Sequence, residues 1–152
     1  MSMGLYLVVA NQTALSDELT TALLDKVKLD ESAEFVLVVP ATPVEYFLNQ
    51  EEGHARQIAA RRAGRALIHL TDAGVPIVGA HVGEASLAEA IDAAISQHTR
   101  EYKGIIICTY PPSVSRWLTG QDQLLRLEAA FHLPVTQVVA IHGQVMGRRP
   151  PA

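Results

Sequence analysis

The sequence predicts an α/β fold in which five parallel strands form a doubly wound sheet of order 3-2-1-4-5, with helices on both faces. Short, nearly all-apolar runs recur along the chain, and such runs are typical of parallel strands that are covered on both faces. Segments with apolar residues at helical spacing separate these runs. The resulting β-α-β-α-β-α-β-α-β order indicates a parallel sheet, because right-handed crossovers place the helices against its two faces.

The first strand is predicted over Leu5–Ala10 and the second over Glu34–Val39, where Pro40 is expected to end it. Ser16 is a predicted N-cap for the helix between them, because its hydroxyl can accept from an amide of the first turn. The carboxylates that follow Ser16 lie at the positive end of the helix dipole. The predicted buried face of this helix consists of Leu19, Leu23 and Val27.

A longer helix is predicted between the second and third strands, and its buried face is an alanine-rich stripe. Gly74 is expected just past its end, where glycine readily adopts a positive φ. The arginines of this helix lie mostly off the stripe, and flanking carboxylates favour a solvated, salt-bridged face. The stripe comprises Ala55, Ala59, Ala63, Ala66 and Leu70, and the arginines are Arg56, Arg61, Arg62 and Arg65.

The second half of the chain continues the alternation. The third strand is predicted over Val75–Val82, and Ser86 with Glu89 forms a capping box at the start of the next helix. The fourth strand is predicted over residues 104–109 and the fifth over Pro134–Ile141, with a helix capped by Asp122 between them.

Composition and length limit the possible function classes. The chain has 152 residues, of which 49% are hydrophobic, and we expect one domain over residues 1–146 with a flexible tail over 147–152. A formal charge of -4 provides no basic face for a nucleic acid. No apolar run approaches the roughly 18 residues of a membrane span. With a single cysteine and no signal-peptide pattern at the start, we expect a cytoplasmic protein without nucleic-acid or membrane partners.

The predicted ligand site lies where the strand order reverses, beyond the carboxyl ends of strands one and four. No metal-ligand spacing and no catalytic triad pattern is present, so no catalytic or metal-binding residue is predicted. Candidate ligand-binding residues lie at the carboxyl ends of four of the strands or in the loops after them: Ala10, Asn11, Val39, Pro40, Gly83, Cys108, Thr109, Ser113, Ser115, Arg116 and Gly120.

Three segments, "LYLVVANQT", "AGVPIVGAHVGEASLAEAIDAA" and "YKGIIICTYPPSVSRWLTGQDQ…LPVTQVV", resemble the universal stress protein family, whose fold is also described as adenine nucleotide alpha hydrolase-like. The resemblance covers the chain from Leu5 to about Ile141 and implies the same fold. It also implies a homodimer through the fifth strand. That strand is an apolar sheet edge without charge or internal proline, and such an edge favours pairing with its copy.

The chain departs from the family at the nucleotide site. Nucleotide-binding members carry an aspartate where this chain has Asn11, and a Gly-x2-Gly-x9-Gly-Ser/Thr loop where this chain reads "CTYPPSVSRWLTGQ". Only Gly120 stands as a glycine of that series. Pro111 and Pro112 have no backbone N–H, so a phosphate cradle of the family type lacks at least two donors.

Individual residues of this region have two readings each. Arg116 is either an anion clamp, assisted by Ser113 and Ser115, or a loop residue that pairs with a nearby carboxylate or is solvated. Asn11 either reads an adenine-like edge or forms an Asx-turn. Cys108 ends an isoleucine-rich strand and is either a redox thiol or a small buried apolar residue.

Three functions stay open at this point. The first is a non-enzymatic regulatory or binding module that acts as a homodimer, without the family's usual ATP binding and without a cofactor, and with an unidentified small ligand or protein partner. The second is a stress protein that binds AMP or ATP through Asn11, Thr109, Ser113, Arg116 and Gly120. The third is a phosphoester hydrolase or transferase on a related fold.

Overall fold

The computed structural model describes residues 4–41, 52–84, 86–97, 101–109 and 121–141. Within these described ranges, strands and helices alternate in sequence order, as the apolar patterns predict. The strands are β1 (Leu5–Ala10), β2 (Glu34–Pro40), β3 (Ile77–Gly83), β4 (Tyr102–Thr109) and β5 (Val135–Val139). The helices are α1 (Asp17–Leu29), α2 (Glu52–Asp72), α3 (Leu87–Gln97) and α4 (Gln121–Phe131).

The five strands form one sheet in the order β3-β2-β1-β4-β5, and every pair of neighbours is parallel. The predicted fold class and strand order are therefore confirmed. β1 is central and lies between β2 and β4, so the strand order reverses at β1, as predicted. β3 and β5 form the two edges of the sheet.

Helices cover both faces of the sheet. One core cluster joins α1 and α2 to one face, and Val8, Phe35 and Leu37 are fully buried there. The other cluster joins α3 and α4 to the opposite face, where Leu7 and Ile107 are fully buried. Alternate residues of the central strands enter opposite clusters, because successive side chains of a strand point to opposite faces. The apolar runs of β1 and β4 follow from burial on both sides.

Several predicted boundaries shift by one or two residues. β2 does not end before Pro40 but includes it, because proline lacks only the backbone N–H and its carbonyl remains an acceptor. β3 begins at Ile77, two residues later than predicted, and β4 begins at Tyr102, two residues earlier. Asp122 lies inside α4, which begins at Gln121, so it is not the cap residue of that helix.

The predicted helix ends are mostly correct. Ser16 Oγ accepts from the Leu19 N–H at 3.2 Å and caps α1. Gly74 has φ of +97° just after α2, the left-handed conformation that glycine adopts without strain. The alanine stripe of α2 is buried throughout, as predicted. No described helix is long and apolar enough to cross a membrane. The predicted tail, residues 147–152, lies outside the described residues.

Candidate functional site

The candidate site lies at the carboxyl end of the sheet, where β1 sits between β2 and β4. Among the predicted site residues, six end a strand or directly precede its end, and the sheet brings them to one edge. These six are Ala10, Val39, Pro40, Gly83, Cys108 and Thr109. All six are buried, so they form the floor of the site. Ser113, Ser115, Arg116 and Gly120 lie outside the described residues.

Asn11 is the first residue after β1 and is half-buried. Its Nδ2 donates to the Pro40 carbonyl at 2.9 Å, across the end of the β1–β2 pair. The side-chain amide thus takes the place of the backbone amide that a longer β1 would present to β2. The Asn11 Oδ1 accepts from Nη1 of Arg62 on α2. Both polar atoms of this side chain therefore have protein partners.

Arg62 is a site residue that sequence reasoning missed. Its neighbours Arg56, Arg61 and Arg65 are exposed, as the salt-bridged face predicts, and Arg56 pairs with Glu84 at 3.4 Å. Arg62 instead is half-buried and contacts the end of β1. A usable signal was its spacing from the buried stripe: Arg62 lies three residues after Ala59 and four before Ala66, so it is closer to the stripe around the helix than Arg61 or Arg65.

The loop after β1 is fastened to the end of β4. Thr13 is buried, and its Oγ1 donates to the Cys108 carbonyl at 2.8 Å. Within the loop, the Ala14 N–H donates to the Asn11 carbonyl at 3.1 Å and the Ser16 N–H to the Thr13 carbonyl at 3.0 Å. These bonds hold the loop as two tight turns against the sheet.

Cys108 is fully buried, in agreement with the reading as a small apolar residue. Its Sγ lies 3.8 Å from Ser16 Oγ, beneath the start of α1. Burial raises the pKa of the Cys108 thiol. This effect outweighs the hydrogen bonds from Thr13 and Ser16, which act to lower the pKa. A thiol with a raised pKa and no exposed surface is a poor nucleophile, so the side chain contributes packing to this region.

Thr109 closes the site on the side of β5. Its Oγ1 accepts from Gln137 Nε2 at 2.9 Å, and its carbonyl accepts from the Ala140 N–H at 2.8 Å. On the other side, the Ala41 N–H donates to the Gly83 carbonyl at 3.0 Å and extends the pairing of β2 with β3. The described rim is therefore rich in polar groups that bond to one another.

A second feature is a shallow groove of about 580 Å³ between α1 and β5. Val138 and Val139 form its apolar side, and three carboxylates of α1 stand beside it. These are Asp17, Glu18 and Asp25. Among the described residues, no group of histidine, cysteine, aspartate and glutamate side chains is arranged to hold a metal ion.

Comparison with solved structures finds the same fold in universal stress proteins. A protein of that family from Burkholderia pseudomallei matches with a TM-score of 0.57 and 18% identity, covering 91% of this chain and 97% of its own. A universal stress protein from Archaeoglobus fulgidus matches with a TM-score of 0.56 and 12% identity, covering 91% of this chain and 95% of its own. No protein-family model matches the sequence, and no significant match arises among curated proteins. The fold that the sequence segments imply is thus confirmed.

Proposed function

We propose that the protein is a divergent member of the universal stress protein family that acts as a non-enzymatic, cytoplasmic regulatory or binding module. In this proposal it forms a homodimer and does not bind ATP in the family's usual way. The observation that carries the proposal is the bonding of Asn11, whose two polar atoms are occupied by Pro40 and Arg62.

A ligand that used the Asn11 amide would have to displace these bonds. The side chain donates to one strand end and accepts from a guanidinium, and a hydrogen bond to a charged group is stronger than a neutral one. An adenine edge would replace a charged donor by a neutral one. The exchange therefore favours the protein's own contacts over a purine.

The threonines near the site support the same proposal. Thr13 and Thr109 are both buried and bonded within the protein, the first to the Cys108 carbonyl and the second to Gln137. Polar groups that are already paired offer little net gain to a ligand, because the ligand must exchange one hydrogen bond for another. Pro111 and Pro112, which lie outside the described residues, have no backbone N–H to donate to a phosphate. The sequence itself therefore also argues against ATP binding in the family's usual way.

The homodimer is proposed through β5. This strand is an edge of the sheet, and Val135, Val138 and Val139 are only half-buried within one chain. An edge strand with exposed apolar residues and no lysine or proline invites pairing with another strand. A second copy of the same edge would cover it.

Arg62 favours a second candidate function, namely AMP or ATP binding with an altered phosphate contact. Its guanidinium reaches the carboxyl end of β1, the region in which doubly wound folds place their ligands. A planar guanidinium suits bidentate contact with a phosphate. In this candidate, Arg62 and the undescribed Arg116 would replace the amides that a glycine-rich loop supplies.

Thermal unfolding with ATP and magnesium separates the two candidates. Under the first, the Tm of the protein stays unchanged up to millimolar ATP. Under the second, saturable stabilisation appears, amounting to about 2.7 kcal/mol at a hundredfold excess over Kd. Arg116→Ala and Arg62→Ala should then abolish it, whereas Arg61→Ala, on the exposed face of the same helix, should preserve it. Saturable stabilisation with this pattern would overturn the first candidate.

A further inference from the structure

The outer edge of β5 has a pattern of free and occupied amides. Pro134 accepts a hydrogen bond from β4 at 2.9 Å and Ala140 donates one to β4 at 2.8 Å, so the even-numbered residues bond inward. Because successive backbone amides of a strand turn to opposite sides, the odd-numbered residues face away from β4. The outward amides belong to Val135, Gln137, Val139 and Ile141.

Two of the four outward amides are capped by carboxylates from helices on opposite faces of the sheet. The Val135 N–H donates to Glu128 Oε2 of α4 at 2.9 Å. The Ile141 N–H donates to Glu18 Oε2 of α1, also at 2.9 Å. Inward-reaching charged side chains of this kind limit the length of an edge that another strand can use.

The other two outward groups are the backbone N–H groups of Gln137 and Val139, and neither forms a hydrogen bond with any described residue. They flank Val138, and the two caps lie three residues before and three residues after it. The free and capped amides are therefore arranged symmetrically about Val138.

From this symmetry we infer that the two carboxylate caps fix the register in which a second copy of the chain pairs with β5. The pairing is antiparallel, with its two-fold axis at Val138. Gln137 then lies opposite the partner's Val139, so free amides meet free carbonyls on both sides of the axis. Val135 lies opposite the partner's Ile141, and the capped positions mark both ends of the ladder. This inference rests on the proposed homodimer and specifies its geometry.

Neighbouring registers are opposed by the caps. With the axis moved to Gln137, Val139 would face the partner's Val135, which Glu128 occupies. With the axis moved to Val139, Gln137 would face the partner's Ile141, which Glu18 occupies. Each shift must displace a charged acceptor from two symmetry-related amides. A strand of unrelated sequence has no reason to match this spacing, whereas a second copy matches it by symmetry.

Disulfide trapping tests the register. In a Cys108→Ala background, single cysteines are introduced as Val138→Cys, Gln137→Cys and Val139→Cys, and sedimentation measures the dimer of each. At the axis, the two copies of residue 138 form a non-hydrogen-bonded pair with Cα atoms about 4.5 Å apart, within disulfide range. The corresponding pairs of residue 137 or residue 139 lie diagonally at about 7–8 Å. Mild oxidation should therefore link Val138→Cys several-fold faster than the other two variants.

Removing one cap tests its role. Glu128→Ala should allow the axis to move to Gln137 and raise the linkage of Gln137→Cys. Glu18→Ala should likewise raise the linkage of Val139→Cys. Glu128→Gln and Glu18→Gln keep an amide oxygen as acceptor and should preserve the original pattern. Glu89→Ala, which removes an exposed carboxylate of α3, is the control and should leave all three rates unchanged.

The outcomes separate the inference from the homodimer on which it rests. A dimer in which residue 137 or 139 links fastest, or in which none of the three links, would overturn the register while leaving the homodimer intact. A register that survives both alanine substitutions would show that the caps do not set it. A monomer at tens of micromolar would overturn the proposed homodimer and this inference together.

Discussion

Arg62 donates a hydrogen bond to Asn11 across 51 residues of sequence, and this contact joins α2 to the end of the central strand. Asn11 also contacts β2, because its Nδ2 donates to the Pro40 carbonyl at 2.9 Å. Three elements therefore meet at one amide side chain, at the point where the strand order reverses. Charge from the guanidinium strengthens the bond, because charge-assisted hydrogen bonds exceed neutral ones.

A double-mutant cycle between Asn11→Ala and Arg62→Ala should reveal this coupling. Each single substitution should lower the free energy of unfolding, and the two losses together should exceed the loss in the double variant by about 1 kcal/mol. Both side chains are half-buried, so solvent screening should keep the coupling below the roughly 1.5–3 kcal/mol that is typical of hydrogen bonds to charged groups. Guanidinium denaturation of the four proteins measures it.

Arg61→Ala provides the matched control for that cycle. Arg61 is the exposed neighbour of Arg62 on the same helix, and its removal should be additive with Asn11→Ala. Coupling within error of zero for the Arg62 cycle would contradict an energetic role for the contact.

The Cys108 thiol should make stability fall at alkaline pH. Burial, the largest cause, raises the pKa of Cys108 in the folded state, so the neutral thiol is favoured there. The contribution of the neutral Cys108 thiol to the free energy of unfolding is fully present below the unfolded-state pKa of about 8.5. It is lost as pH rises through the folded-state pKa. The free energy of unfolding should decline above pH ~8.5, and Cys108→Ala should decline less steeply.

A thiol reagent offers a direct check of the same burial. At pH 8 the folded protein should react with a disulfide reagent only as fast as it unfolds, whereas denaturant should expose the thiol at once. Rapid labelling of the native protein would contradict the burial of Cys108.

The fold was more predictable than the contacts at the site. Runs such as Leu5–Ala10 indicate strands that are buried on both faces, and their alternation with amphipathic helices indicates a parallel sheet. Asn11 and Thr109 come to one edge because parallel strands end together. Arg62 was not foreseen, since periodicity assigns a residue to a helix face without showing how far a long side chain reaches. The Glu18 contact with Ile141 spans 123 residues and depends on tertiary packing alone.

Gly83 should be intolerant of a side chain. A Cβ at this position would lie 2.7 Å from Val38 Cγ1 and 2.9 Å from the Cβ of Ala90 on α3, closer than packed carbons can lie. Gly83→Ala should therefore push α3 from the sheet edge and cost about 1–3 kcal/mol in the free energy of unfolding. Urea denaturation provides the measurement.

Gly64→Ala is the control for that substitution. Gly64 lies within α2, and a Cβ there meets nothing within 4 Å. Alanine has the higher helix propensity, so the variant should gain up to about 1 kcal/mol. Equal effects of the two substitutions would contradict the close packing of β3 against α3.

Salt should tighten the proposed homodimer. Continuous antiparallel pairing at β5 places both copies of α1 on the same face of the joined sheet, because opposite residues of such a pair share a face. The groove beside β5 carries Asp17, Glu18 and Asp25, so six carboxylates would flank the axis. Their repulsion opposes association and is screened when the Debye length falls from about 10 Å at 0.1 M salt to about 3 Å at 1 M.

The dimer Kd from sedimentation should therefore fall as salt rises. Asp17→Asn should lower it at low salt by the equivalent of about 0.5 kcal/mol, while Asp72→Asn, at the end of α2, should not. A Kd that rises with salt would place an attractive ion pair at this interface and contradict the repulsion.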